Sequence, residues 1–194
     1  MTTTATETAV RPPRNRPPRN RLRRRRLLAA LGVFLVLLTT YTIWTNARPY
    51  TLKASIEIEA TPEEVWQVLT DLPAYHEWNP FVISAKGTVK KDATLRLVMH
   101  DDTGNTTFTP TVLAAEPGRE LRWIGRIGPG WIFDGEHRFR IDPLEGGRVR
   151  VTQSEDFTGV AVPFYQGTLH DNTLPQFKAM NQALADRIAA LRSS

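Results

Sequence analysis

The sequence predicts an α+β domain: a curved antiparallel sheet of about seven strands wrapped on one long C-terminal helix, with two short helices after the first strand. A single apolar helix precedes the domain. Three observations lead there. Residues 50–59 and most of 82–157 alternate apolar and polar side chains with a period of two, broken by Gly, Pro, Asn and Asp. Residues 169–191 switch to apolar side chains three or four apart, the period of a helix face. Residues 27–44, LLAALGVFLVLLTTYTIW, carry no charge at all.

Charge divides the 194-residue chain unevenly. Up to Arg26 the only acid is Glu7, against Arg11, Arg14, Arg16, Arg19, Arg21 and the run Arg23 to Arg26. From Arg48 onward there are 16 Lys and Arg against 19 Asp and Glu, so the net charge of +5 belongs to the tail. Residues 1–26 are rich in Pro, Asn and Arg, with nothing to pack, and are expected to be a disordered basic tail. Its distal half reads as solvated chain, and Arg21 to Arg26 as a basic arm for an anionic leaflet. The domain itself has no basic stripe, which excludes a nucleic-acid footprint. The chain has no Cys, which excludes disulfides, thiolate metal sites and Cys nucleophiles.

As a helix, residues 27–44 would span about 27 Å at ~1.5 Å per residue, close to a hydrocarbon core of roughly 30 Å. We expect a signal-anchor helix over residues 27–45, with Tyr41 and Trp44 at the interface. The arginines would keep the N-terminus cytoplasmic and the domain outside. The rivals are a signal peptide cleaved near Ala47, after the loosely fitting Thr45-Asn46-Ala47, and a buried soluble helix. Residues 46–49 would be a short linker and residues 50–192 the domain. About five residues at ~3.5 Å each reach under ~20 Å, so the domain would be held against the membrane, the nearest source of an apolar ligand.

Within the domain, YTLKASIEIE is the first strand, with Leu52, Ala54, Ile56 and Ile58 on one face. Thr61-Pro62-Glu63-Glu64 opens a helix: Thr61 as N-cap, Pro62 at the first position, and acids at the positive end. Leu72-Pro73 ends it. One more helical turn fits before Pro80 forces Asn79 to be extended, so HEWNPFV (76–82) is the corner into the next strand. Then follow FVISAKG, TLRLVMH, TTFTPTVLAAE (whose Pro110 hints at an edge or bulge), RELRWIGRI, WIFDGEHRFRI and RVRVTQSEDF. In the last two, Phe133, Gly135, His137, Phe139 and Ile141, then Val149, Val151, Gln153, Glu155 and Phe157, face inward. Leu169, Phe177, Met180, Leu184, Ile188 and Leu191 form the stripe of the closing helix, with Pro175 as a kink or as the start of its straight part.

This order resembles the helix-grip fold of the START and pollen-allergen superfamily, SRPBCC. It looks most like the polyketide cyclase/dehydrase and lipid-transport branch. The resemblance rests on IEIEATPEEVWQVLTDLPAYHEWNPFV, on GGRVRVTQSEDFTG and on FKAMNQALADRI, and covers roughly residues 50 to 192. It implies a hydrophobic ligand held between sheet and long helix, without implying one reaction. The N-terminal anchor lies outside the family pattern.

The expected cavity lining is Trp66, Trp78, Leu97, Phe108, Trp123, Phe133, His137, Phe139, Gln153, Glu155, Phe157, Phe177 and Met180. A hairpin centred near Glu145 would pair His137 with Gln153, with Glu155 one pleat further. These polar groups on an apolar wall could bind a ligand headgroup, or satisfy one another or a water. A His beside a carboxylate also suits acid–base work, so His137 and Glu155 are the catalytic candidates, although no nucleophile or oxyanion donor accompanies them. Trp78 reads either as filler beneath the short helices or as part of a cavity entrance, and Asn79 as a cap of the turn. His76, His100 and His170 are scattered and form no metal-ligand cluster. No cofactor is expected. The expected partner is a lipid or other hydrophobic small molecule, with the membrane engaged through the N-terminal helix. A cyclase or dehydratase, or an interaction module whose interior is filled by its own side chains, are the alternatives.

Overall fold

The computed structural model describes residues 19–101 and 104–193. The chain divides after Thr40 into two compact units, the second being Tyr41–Ser194. Helix α1 spans Arg19–Ala47. It is longer at both ends than the expected 27–45. Arginines favour helix as well as apolar residues do, and nothing interrupts them after Pro18. The part of the expected disordered tail before Arg19 lies outside the described residues. From Leu27 to Leu38 the large apolar side chains of α1 are exposed. Over Asn20–Ala47 it is long and apolar enough to cross a membrane, a property shared by anchors and signal sequences.

Arg48 and Pro49 lead into β1 (Tyr50–Ile58). Helix α2 (Pro62–Thr70) opens on a capping box: Glu64 N–H donates to Thr61 Oγ1 at 3.2 Å, and Thr61 N–H donates to Glu64 Oε2 at 2.7 Å. A 3-10 turn (Leu72–Ala74) and a one-turn helix α3 (Tyr75–Trp78) follow. Asn79 is extended (φ −85°, ψ 116°), as the following Pro80 requires. Its buried Oδ1 accepts from the N–H groups of Phe81 (2.9 Å) and Val82 (2.8 Å). HEWNPFV is therefore a capped corner from helix to sheet.

The remaining strands are β2 (Val82–Lys86), β3 (Arg96–Asp101), β4 (Gly104–Phe108), β5 (Thr111–Glu116), β6 (Glu120–Ile127), β7 (Phe133–Leu144) and β8 (Arg148–Thr158). All strand pairs are antiparallel, in two groups: β1-β8-β7-β6-β5 and β2-β3-β4. The segment read as the single strand TTFTPTVLAAE is two strands, which makes eight in the described residues instead of about seven. Pro110 divides them because it offers no N–H to a ladder. Its carbonyl accepts from Leu95 N–H at 2.9 Å, and Val112 N–H donates to Ala93 at 2.8 Å, so the chain ahead of β3 stitches the two groups together.

Helix α4 (Val162–Ser193) runs unbroken through Pro175. Its buried side chains lie mostly after the proline: Phe177, Met180, Asn181, Leu184 and Ile188, with Val162 at the start. Leu191, expected on this stripe, is exposed and borders a hollow shared with Glu64, Ile188 and Arg192. Phe177 and Val162 pack with Leu52, Ala54 and Phe157, while Met180, Leu184 and Ile188 join Val149, Val151, Leu69 and Tyr75. Each such side chain, fully buried, contributes about 1.5–3 kcal/mol.

Candidate functional site

Between the inner faces of the strands, the HEWNPFV corner and the first half of α4 lies an open cavity of about 780 Å³. Ten of the expected residues line it: Leu97, Phe108, Trp123, Phe133, His137, Phe139, Gln153, Glu155, Phe157 and Met180. Three do not. Trp66 lies beside the inward set Val65, Val68 and Leu69 of α2 and packs half-buried against the core. Trp78 turns to the other side of α3, where it borders a separate hollow of about 370 Å³ with Arg187, Ile188 and Leu191. Phe177 is buried behind the wall, its ring edge-on to His137 at 5.1 Å.

The polar cluster is built by strand register. β7 and β8 pair Leu144 with Arg148 and therefore His137 with Glu155 and Phe139 with Gln153. The expected pairing of His137 with Gln153 is two residues out. The loop is Glu145-Gly146-Gly147, with both glycines at positive φ (74° and 71°), which centres the hairpin on Gly146. His137 Nδ1 is 3.3 Å from Glu155 Oε2, and Gln153 Nε2 is 3.2 Å from His137 Nε2. With the amide donating to Nε2, the ring proton sits on Nδ1 and donates to the carboxylate. The second amide hydrogen points to Met180 Sδ at 3.6 Å. Gln153 Oε1 is buried without a partner.

Aromatic rings fix the imidazole from three sides: Trp123 stacks on it at 4.9 Å, Phe139 tilts against it at 4.9 Å, and Phe177 closes the edge. Gly135, across from Phe157, leaves room for the carboxylate; a Cβ there would run into Glu155 Oε1. Among the described residues no group of three His, Asp or Glu is placed to hold a metal ion.

Several lining residues went unrecognised in the sequence. Tyr75 is buried, donates its hydroxyl to Leu69 O at 2.7 Å, and has its phenol pKa pushed up by that burial. Phe81, Met99 and His100 line the cavity too, as do Thr168, Leu169, Thr173 and Gln176 of α4. The α4 residues gave one signal: the stretch QGTLHDNT is too polar for a core helix, as befits one bordering a hollow.

Residues 50–191 match the family model for polyketide cyclase / dehydrase and lipid transport. The chain belongs to this family. Solved structures share its fold. A START superfamily protein from Mycobacterium smegmatis is 21% identical, with a TM-score of 0.57 over 73% of this chain and 98% of its own. The Zhui aromatase/cyclase from Streptomyces sp. R1128 is 15% identical, with a TM-score of 0.61 over 73% and 94%. TTHA0849 from Thermus thermophilus is 16% identical, with a TM-score of 0.59 over 73% and 99%. No curated protein matches the chain. Family membership points to binding of a hydrophobic ligand or to cyclase/dehydrase chemistry, and the helix-grip architecture is the one these neighbours share.

Proposed function

We propose that this chain binds a lipid or other hydrophobic small molecule outside the cytoplasm, held to the membrane by α1. The observation that carries the reading is the cavity of about 780 Å³, apolar over most of its wall, with the hydrogen-bonded cluster His137–Gln153–Glu155 set into it. Ligand sites have this form, with apolar walls for affinity and a few fixed polar groups for orientation. Gln153 Oε1 is buried without a partner, which costs about 1–3 kcal/mol, and a ligand hydroxyl or amide would satisfy it once the Gln153 side chain turns toward the cavity. A module that fills its own interior does not fit a cavity of this size.

Anchoring is supported by the uncharged run from Leu27 to Trp44, flanked by arginines on the N-terminal side. Retention of the helix, as opposed to cleavage near Ala47, is supported by how its last residues are used. Tyr41 donates to Val160 O at 3.0 Å, Thr45 is buried, and Asn46 Nδ2 lies 3.5 Å from Trp131 O.

Membrane extracts of the full chain, purified gently, should yield a co-purifying hydrophobic molecule by mass spectrometry, and fluorescent fatty acids should bind in competition with it. A clean apo mass together with no fatty-acid binding would defeat the reading. The His137–Glu155 contact favours one second reading, a cyclase or dehydratase in which His137 moves the proton. His137 Nε2 is engaged by Gln153, so the amide would have to turn away first. Turnover unchanged in His137→Ala would remove that alternative.

A further inference from the structure

We propose that the domain docks on the bilayer through an apolar, mostly aromatic rim at the mouth of its cavity, formed by Ile127 at the end of β6, Trp131 between β6 and β7, and Phe164 and Tyr165 in the first turn of α4. This rests on the ligand-binding reading above and adds the surface across which a ligand passes. The four side chains are 56%, 51%, 79% and 54% exposed, a set of large apolar groups that water does not favour. They belong to two stretches, Ile127–Phe133 and Phe157–Leu169, without a single charged or His residue. The stretches are laced together: Val160 N–H donates to Trp131 O and Ala161 N–H to Ile132 O, each at 3.1 Å, and Tyr165 stands edge-on to Phe133 at 6.4 Å.

The rim is continuous with the cavity, because Ile127, Phe133 and Leu169 are also lining residues. Arg126 at the same edge is neutralised by Asp134 at 3.1 Å, so it brings no bare charge to the surface. A bilayer is favoured over a protein partner by the course of the chain. Residues Tyr41–Ala47 belong to this same compact unit, and both of their hydrogen bonds described above end on the rim, at Val160 O and Trp131 O. They are the last residues of the membrane-crossing candidate, Asn20–Ala47. Whatever hydrocarbon receives that helix lies within a few residues of the rim, and Trp and Tyr are the side chains that prefer a membrane interface. The other end of the domain is different: twelve residues of β7 away, about 40 Å at ~3.3 Å each, Asp142, Glu145 and Arg148 surround the β7–β8 turn.

The chain has no Cys, so single labels are simple to place. Full-length protein carrying Phe164→Cys, Trp131→Cys or Glu145→Cys is labelled with a fluorophore and reconstituted in phosphatidylcholine vesicles containing lipids with a nitroxide on the upper acyl chain. Strong quenching at 164 and 131 and none at 145 is expected. Equal quenching at all three, or none at 164 and 131, overturns the proposal. In a second arm, Trp131→Ser/Phe164→Ser/Tyr165→Ser should load a fluorescent fatty acid from vesicles about tenfold more slowly, since its interfacial side chains are gone, yet bind the same fatty acid added in solution as the parent does. Loading at the parental rate overturns the docking surface. Absence of solution binding in the parent, with quenching intact, instead defeats the ligand reading and leaves docking standing.

Discussion

The imidazole of His137 lies flat against the indole of Trp123, ring centroids 4.9 Å apart and planes 5° apart. The two residues are cross-strand partners on β6 and β7, so register alone brings them face to face. Glu155 holds one ring nitrogen and Gln153 the other. A polar group is thus fixed among the aromatic rings of Trp123, Phe139 and Phe177.

Replacing His137 by Ala removes the nitrogen partner of Gln153 Nε2 and the imidazole partner of Glu155. The cost should be about 1–3 kcal/mol in urea unfolding, because polar groups are left bare. Affinity for a fluorescent fatty acid should fall about tenfold, equal to ~1.4 kcal/mol. Parental affinity in a folded variant would show that the cluster is structural and not a ligand contact.

Gly135→Ala should move the Glu155 carboxylate off His137, since the new methyl occupies its place. Overpacking of this kind costs about 1–3 kcal/mol. In a double-mutant cycle, Glu155→Ala should recover at least about 0.5 kcal/mol of that loss. Strict additivity of the two changes would refute the contact.

Met99 borders the cavity on β3 and is only partly buried. Met99→Trp should fill space that a ligand needs. Binding of the fatty acid should drop at least about tenfold, while stability stays within ~1 kcal/mol of the parent. Undiminished binding would place the ligand elsewhere.

At the entry of α2, the Thr61 backbone N–H, followed by the Arg192 charge, holds the Glu64 carboxyl below its usual range. The sign follows from linkage. A depressed folded-state value contributes stability above the unfolded pKa and loses it as pH falls through the folded one. The stability gap between the parent and Glu64→Gln should therefore be full above the ordinary glutamate range, near neutral pH, and close as pH falls below that range. Thr61→Ala should cost about 1 kcal/mol at neutral pH. A gap independent of pH would contradict the ionic part of the cap.

Local signals carried much of the architecture. Thr61, Pro62 and Glu64 announce a helix start because capping involves neighbours only, and Pro80 sets Asn79 for the same reason. The inward faces of β7 and β8 follow from alternation. The register between them depends on the loop, and two glycines at positive φ moved it by two residues from a simple count. Trp66, Trp78 and Phe177 were assigned to the cavity on bulk and polarity, which say that a side chain is buried but not on which side of its helix the space lies.

By itself, the sequence determined the order of elements, the charge-free run Leu27 to Trp44 within the N-terminal helix and the inward set around His137, since each depends on residues a few positions apart. Tertiary structure alone decided that Glu155 and not Gln153 stands across from His137, and that Trp131 and Ile132 are hydrogen-bonded to Val160 and Ala161 just ahead of α4. Those outcomes depend on loop geometry and on contacts between segments far apart in the chain, where the enclosing surfaces, and not the residue's own neighbours, set what each side chain meets.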